Sequence, residues 1–337
     1  MRVLVTGGAG FIGTHTCLAL LRAGHSVHVI DNLHNGHHEA LKRVERISNC
    51  RLDFKQIDIR DFKALDTVFA SFKPESVIHF AGLKSVNESI FSPALYYDVN
   101  VGGLATLLNA MDRAHCKSIV FSSSATIYGN PVYLPCDENH PRNPINPYGR
   151  TKLVGEQLLL DWSNVDPNRR ATALRYFNPV GADSSGDIGE DPNGAPNNLM
   201  PIIAQVAVGR RDLLQVYGND YETCDGTGIR DYIHVSDLSV AHVKALEKQQ
   251  QLEPFEALNI GRGSGISVLE LISEFKNVSN KEIHFEFSQR RAGDAAAVWA
   301  DTNLAYLKLQ FIAKRGIKEM CADTWKWQSS NPSGFTK

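Results

Sequence analysis

The stretch VLVTGGAGFIG, Val3 to Gly13, runs from strand-forming residues through a glycine-rich turn into the start of an apolar helix. Gly8, Gly10 and Gly13 satisfy G-x-G-x-x-G, and Gly7, Gly10 and Gly13 satisfy the related G-x-x-G-x-x-G. Glycines at these places permit a tight turn, let a backbone approach a pyrophosphate, and let helix and strand pack closely. The helix start adds free N–H groups and a positive dipole end. A strand–turn–helix of this kind reads as a dinucleotide cradle when an acid closes the next strand. Asp31 closes SVHVID, residues 26–31.

Working outward, apolar runs suited to buried parallel strands recur at 2–6, 26–30, 76–82, 118–124 and 171–178. Between them FIGTHTCLALLRAG, ALDTVFASF, GGLATLLNAMDRAH and YGRTKLVGEQLLLDW carry apolar residues at three- and four-residue spacing. Strict alternation of the two predicts an α/β fold with a doubly wound parallel sheet of Rossmann type. After Asn178 the composition turns rich in Gly, Pro, Asn and Asp as far as residue 234, with one helical stretch, LMPIIAQVAVGR. A long irregular region in a compact chain reads as a binding region. The expected division is a dinucleotide-binding domain over 1–178 and a smaller, mixed substrate-binding domain over 179–337. Segments near 230–260 are expected to return to the first domain.

A carboxylate at Asp31 accepts hydrogen bonds from the ribose hydroxyls of NAD and would repel the 2′-phosphate of NADP. Asn32 and Leu33 follow it rather than arginine, so NAD is the expected cofactor. Asp58, in KQIDIRD, ends another strand-like run and could reach the adenine edge. The loop HNGHH, with His34, His37 and His38, has no carboxylate or cysteine at a ligand spacing, and no metal is expected there.

Lys plus Arg (35) nearly balances Asp plus Glu (37), so no global field selects nucleic acid or an anionic membrane. The 337 residues are 43% hydrophobic and 21% charged, ordinary for a soluble protein. Six unpaired-looking cysteines, no leader pattern and no apolar run long enough to span a bilayer predict a cytoplasmic protein.

NPYGRTK, Asn146 to Lys152, sets Tyr148 and Lys152 one helical turn apart, with Pro147 suited to the first turn. A phenol with a pKa near 10 is only about 0.1% ionised at pH 7. A neighbouring ammonium favours the phenolate, and the positive nicotinamide ring of bound NAD would add to that pull. The pair therefore reads as a general base able to take a hydroxyl proton while hydride leaves the same carbon. Ser124 ends SIVFSSS at the carboxyl edge of the sheet, where it could hydrogen-bond the reacting oxygen.

The glycine turn, the strand-end serine and Tyr-x-x-x-Lys together resemble the extended short-chain dehydrogenase/reductase family. RYFNPVGA, GEDPNGAPNNLMPIIAQVAVGRR, VYGNDY, DGTGIRDYIHVSDL, RRAGD and the final DTWKWQ…NPSG extend the resemblance over nearly the whole chain, toward the members that 4-epimerise UDP-hexoses. The resemblance implies Tyr148 as base and acid, Lys152 on the nicotinamide ribose, and Ser124 at the sugar O4. It implies an NAD lining of Phe11, Ile12, Asp31, Asn32, Asp58, Ile59, the segment Phe80, Ala81, Gly82 to Lys84, Asn100 and Phe177. It implies a UDP-sugar site of Lys84, Asn178, Asn198, Leu199, Tyr217, Arg230, Arg291 and Asp294, with Val298 bordering the sugar ring. Forked guanidiniums suit a diphosphate.

The expected reaction is reversible NAD-dependent 4-epimerisation of UDP-galactose and UDP-glucose through a 4-keto intermediate, extended to their N-acetylamino counterparts. Related dehydratases carry an Asp-Glu pair after the catalytic Ser or Thr. Ala125 and Thr126 stand there instead, which disfavours elimination. The alternatives are a nucleotide-sugar dehydratase or decarboxylase, or a non-catalytic dinucleotide sensor. Helices around 94–115 and 148–162 resemble those that pair in family homodimers, so a homodimer is expected.

Overall fold

A computed structural model describes all residues except Ala195, Asn197, Ala292, Thr336 and Lys337. In the first half the elements are β1 (Arg2–Thr6), α1 (Phe11–Arg22), β2 (Ser26–Asp31), α2 (His38–Ser48), β3 (Asp53–Gln56), α3 (Phe62–Phe72) and β4 (Ser76–His79). Helices α4 (Val86–Phe91), α5 (Pro93–Tyr96) and α6 (Gly103–Arg113) precede β5 (Ser118–Ser124), α7 (Pro147–Asn164) and β6 (Arg170–Tyr176). The second half holds β7 (Asn178–Val180), α8 (Leu199–Ala207), β8 (Leu214–Tyr217), β9 (Ile229–Arg230), β10 (Tyr232–His234), α9 (Val235–Lys248) and β11 (Phe255–Ile260). It ends with β12 (Ile266–Ser267), α10 (Val268–Ser279), β13 (Phe285–Ser288), β14 (Ala297–Val298), α11 (Asn303–Leu309) and α12 (Ile317–Ser330).

Seven strands form one sheet in the order β11-β6-β5-β4-β1-β2-β3, and every pair in it is parallel. The chain steps from β1 outward to β3, then returns to β4 on the other side of β1. The loops after β1 and β4 therefore leave in opposite directions and open a crevice at their carboxyl ends, where α/β sheets bind ligands. Period-two alternation divides the core: Val3 and Val5 pack with α1 and α9 on one face, and Leu4 packs with α3 and α6 on the other. A third apolar cluster joins α8, α10 and α12 with β8, outside the large sheet.

The structure trims two expected strands and adds elements. Residues 80–82 leave β4 as a loop, in which Gly82 takes φ 159. Asn178 starts a separate strand, β7, which pairs with β10. His38 is not in a loop but opens α2, whose buried stripe is only Ala40, Leu41 and Val44. Helix α7 starts as its sequence predicts, with Pro147 in the first turn and the Asn146 side chain accepting from Gly149 N at 2.8 Å. Among the described residues no helix is long and apolar enough to cross a membrane.

Candidate active site

The turn after β1 is shaped by close approach. Gly7 takes φ +70, and a Cβ on it would lie 2.5 Å from Ala81 N. A Cβ on Gly13 would lie 2.3 Å from Gly7 O, so α1 can seat against the turn only with glycine there. Gly10 caps α1 without a side-chain hydrogen bond, and the first turn, with Phe11 and Ile12, contains no acid. The amide end of the helix is thus left for an outside anion.

Asp31, buried at the end of β2, accepts from Ala9 N at 3.0 Å and Leu33 N at 2.8 Å. Burial pushes its carboxyl above the usual carboxylate range, and those two backbone donors oppose the shift. Each oxygen keeps a lone pair, which suits ribose hydroxyls. Asn32 donates to Asp58 at 3.1 Å. Arg60 grips Asp58 through Nε (2.9 Å) and Nη2 (2.8 Å) and holds its carboxyl well below the usual range. The Ile59 side chain points into the core against Gly103. Phe80 N donates to Thr6 O, and Ala81 N donates to the Thr6 hydroxyl. Asn100 is buried, accepts from Leu83 N at 2.8 Å and donates to Thr151 at 3.0 Å. It ties the 80–84 loop to α7. The amide helix end, the glycine cradle and the acceptor at Asp31 together fit a dinucleotide.

On α7, Tyr148 and Lys152 share a face beside the end of β5. Lys152 is 6% exposed, and its ammonium donates to Ser122 O at 2.6 Å. It lies 5.0 Å from the Phe121 ring centre and 5.8 Å from that of Tyr148. Burial pulls Lys152 down to about 8, and the charge of Glu156 opposes that. The expected lowering of the Tyr148 phenol by Lys152 is not found. Burial pushes Tyr148 up to about 12, a hydrogen bond with Ser124 opposes this, and the ammonium is turned toward Ser122. Ser124 Oγ accepts from Thr126 N at 3.2 Å and from the Thr126 hydroxyl at 2.9 Å. Its own proton is thereby left to point toward Tyr148 or a ligand oxygen.

A second group forms at the ends of β8, β9 and β14. The Arg291 guanidinium lies 4.7 Å from the Tyr217 ring centre, and its Nε donates to Asp294 at 2.9 Å. Arg230 faces the same carboxylate at 3.8 Å. Val298 pairs in register with Arg230. It also packs against a cluster that includes Ile127, Tyr128 and Phe177, which joins this group to the residues following Ser124. Asn178 follows the buried Phe177, its N–H donating to Asp231 O. Lys84 and Asn198 meet through Glu190, at 3.2 and 2.8 Å, just before Leu199 opens α8.

Glu190 is a site neighbour that sequence reasoning missed, because its partner Lys84 lies 106 residues away and the contact leaves no local spacing signal. Thr126, read from the sequence only as standing in place of a dehydratase acid, is also a hydrogen-bond donor to Ser124. Among the described residues no group of three His, Cys, Asp or Glu could hold a metal ion.

The chain is 53% identical, over 335 residues and 99% of each sequence, to the UDP-glucose 4-epimerase of Bacillus subtilis. The crystal structure of UDP-glucose 4-epimerase from Stenotrophomonas maltophila, with bound NAD and formylated UDP-arabinopyranose, superposes with a TM-score of 0.96 at 46% identity, covering 98% of this chain and 99% of that one. The Bifidobacterium longum enzyme in complex with NAD+ and UDP also gives 0.96 at 46% identity, over 99% of this chain and all (100%) of that one. The pattern of the NAD dependent epimerase/dehydratase family matches residues 3–261, more than half of the sequence, and the chain belongs to that family.

Proposed function

We propose that this protein is an NAD-dependent UDP-hexose 4-epimerase that interconverts UDP-galactose and UDP-glucose, with its N-acetylamino counterparts as further substrates. The observation that carries this reading is the placement of Tyr148, Lys152 and Ser124 between a dinucleotide cradle and a pair of arginines. When bound, NAD supplies a hydride acceptor that returns the hydride to the opposite face of C4.

Tyr148 takes the proton of the 4-hydroxyl and later returns it, with Ser124 hydrogen-bonded to the same oxygen. Lys152 supplies positive charge behind the phenol and donors for a ribose. Arg230 and Arg291 hold the diphosphate by their forked donors, and Tyr217 and Asp294 hold the nucleoside end. The 4-keto sugar must turn over while UDP stays anchored, so the firm contacts belong to the nucleotide. Ala125 and Thr126 support epimerisation over dehydration, because neither can act as the acid or base of an elimination. Redox closes within each turnover, so the cofactor need not exchange.

The test is to supply UDP-galactose without added NAD. UDP-glucose should form, and denaturing the protein should release NAD. A protein empty of NAD yet active only with NADP would overturn the reading of Asp31.

In the same reading residues 1–178, with β10, α9 and β11, form the cofactor domain, and most of 179–337 forms the UDP-sugar domain. We place the enzyme in the cytoplasm and assign it a homodimer. Exposed Ile90, Phe91 and Leu95, together with Val154 on α7, offer an apolar face for a second copy. Sedimentation should give twice the chain mass, and a monomer at micromolar concentration would count against the pairing.

A further inference from the structure

Behind the reacting residues lies a closed polar cluster that the chemistry above leaves unused. Tyr148, Lys152 and Glu156 follow at four-residue steps on α7 and share one face. Glu156 is 1% exposed and Arg175, on β6, is 2% exposed. Arg175 meets the carboxylate with two arms, Nε to Oε1 at 2.9 Å and Nη2 to Oε2 at 2.7 Å. Ser123, beside Ser124 on β5, donates to Oε1 at 2.5 Å. Arg175 also donates to the Tyr128 hydroxyl at 3.0 Å, and Tyr128 donates to Asn259 on β11 at 2.6 Å. One carboxylate thus ties the Tyr148–Lys152 face of α7 to the strand that ends in Ser124.

A buried ion pair is weak evidence for stability, since well-packed apolar replacements are often as good or better. The pair therefore calls for another reason, and Lys152 supplies one. Among the described residues no carboxylate lies within ion-pair distance of its ammonium, which is buried against Phe121. The groups beside it are Tyr148 and Glu156 from its own helix and His79 from β4, while Tyr176 on β6 interacts with Tyr148 and Arg175 on β6 is held by Glu156. Burial, then the charge of Lys152, pulls His79 down to about 3, so it stays neutral. Burial pushes both tyrosines up, so they stay neutral too. Farther out, Arg142 stands 3.9 Å from Glu156, Glu88 on α4 accepts from Tyr96 on α5, and Asp98 pairs with Arg60. Glu156 is the anion whose field reaches Lys152.

We propose that Glu156, clamped by Arg175 and Ser123, is a positioning residue for this reaction, keeping the buried Lys152 ammonium charged and holding the Tyr148–Lys152 face against Ser124. The inference rests on the reading that these residues carry an epimerisation.

The test uses the enzyme as purified with its cofactor, in wild type, Glu156→Gln and the double variant Glu156→Gln/Arg175→Met. Glu156→Gln alone leaves a buried guanidinium unpaired and should melt early. The double variant removes both charges and should recover most of the melting temperature. Its turnover of UDP-galactose is then followed from about pH 6 to 10. The alkaline limb of kcat should move toward acid by about one pH unit, a tenfold loss on that limb, with KM changed little. A stable double variant whose limb coincides with wild type overturns the proposal, leaving the pair merely structural. Wild type inactive on UDP-galactose defeats the functional reading instead. In that case the Lys152 Nζ resonance of 15N-labelled protein decides: an unmoved titration in the double variant overturns the inference whatever the activity.

Discussion

Tyr148→Phe should lower turnover of UDP-galactose by about 10²–10⁴-fold, the usual worth of a general base, while UDP still binds. Phenylalanine keeps the ring that lies beside the Lys152 ammonium and removes only the hydroxyl that meets Ser124. The residues proposed to hold the nucleotide, Tyr217, Arg230, Arg291 and Asp294, form a separate group that the change does not touch. The structure also says why the residue waits for its partner. Burial pushes the phenol up to about 12, and the Lys152 ammonium points one of its three donors at Ser122 O rather than at the phenol. The protein by itself holds Tyr148 protonated, and a further positive charge must enter beside the ring before it becomes a base. Steady-state kcat and calorimetric UDP binding check both halves. Retention of most wild-type turnover would mean another group takes the proton.

What could be read in the sequence was whatever local spacing encodes. The glycine turn, the acid closing β2 and the tyrosine–lysine step each lie within one element or one turn, so their geometry follows from helix and strand periods alone. Helix α2 was missed because HEALKRVERIS is polar almost throughout, and three buried residues make a narrow stripe behind a histidine-rich loop. Glu190, Arg175 and Asn259 act across 106, 19 and 131 residues respectively, and only the folded topology brings them to their partners. In the protein alone Lys152 does not lower the Tyr148 phenol, for a related reason. A spacing of four residues places two side chains on one face but does not fix where an ammonium points, and Ser122 O comes from another strand.

In the proposed function Val298 sets substrate breadth, and Val298→Tyr should abolish use of UDP-N-acetylgalactosamine while leaving UDP-galactose turnover largely intact. Strand β14 sets Val298 beside Arg230 in register, and the side chain packs against the cluster that includes Ile127, Tyr128 and Phe177. It therefore stands between the arginine proposed for the diphosphate and the strand end that carries Ser124. The resemblance to UDP-hexose 4-epimerases implies that the position borders the sugar, where some members carry tyrosine. A difference of one methylene in pocket fit is worth only about 1–3 kcal/mol and merely tunes a preference. A whole aromatic ring placed against the 2-substituent blocks it sterically, and a loss of about a hundredfold or more is expected for the acetylated sugar. The 4-position chemistry is built on α7 and β5, which the substitution does not touch, so UDP-galactose should stay within a few-fold of wild type. Turnover of both sugars by wild type and variant tests this. Wild type that ignores the acetylated sugar, or a tyrosine variant that uses it as well as wild type, would show that other side chains set the width of the pocket.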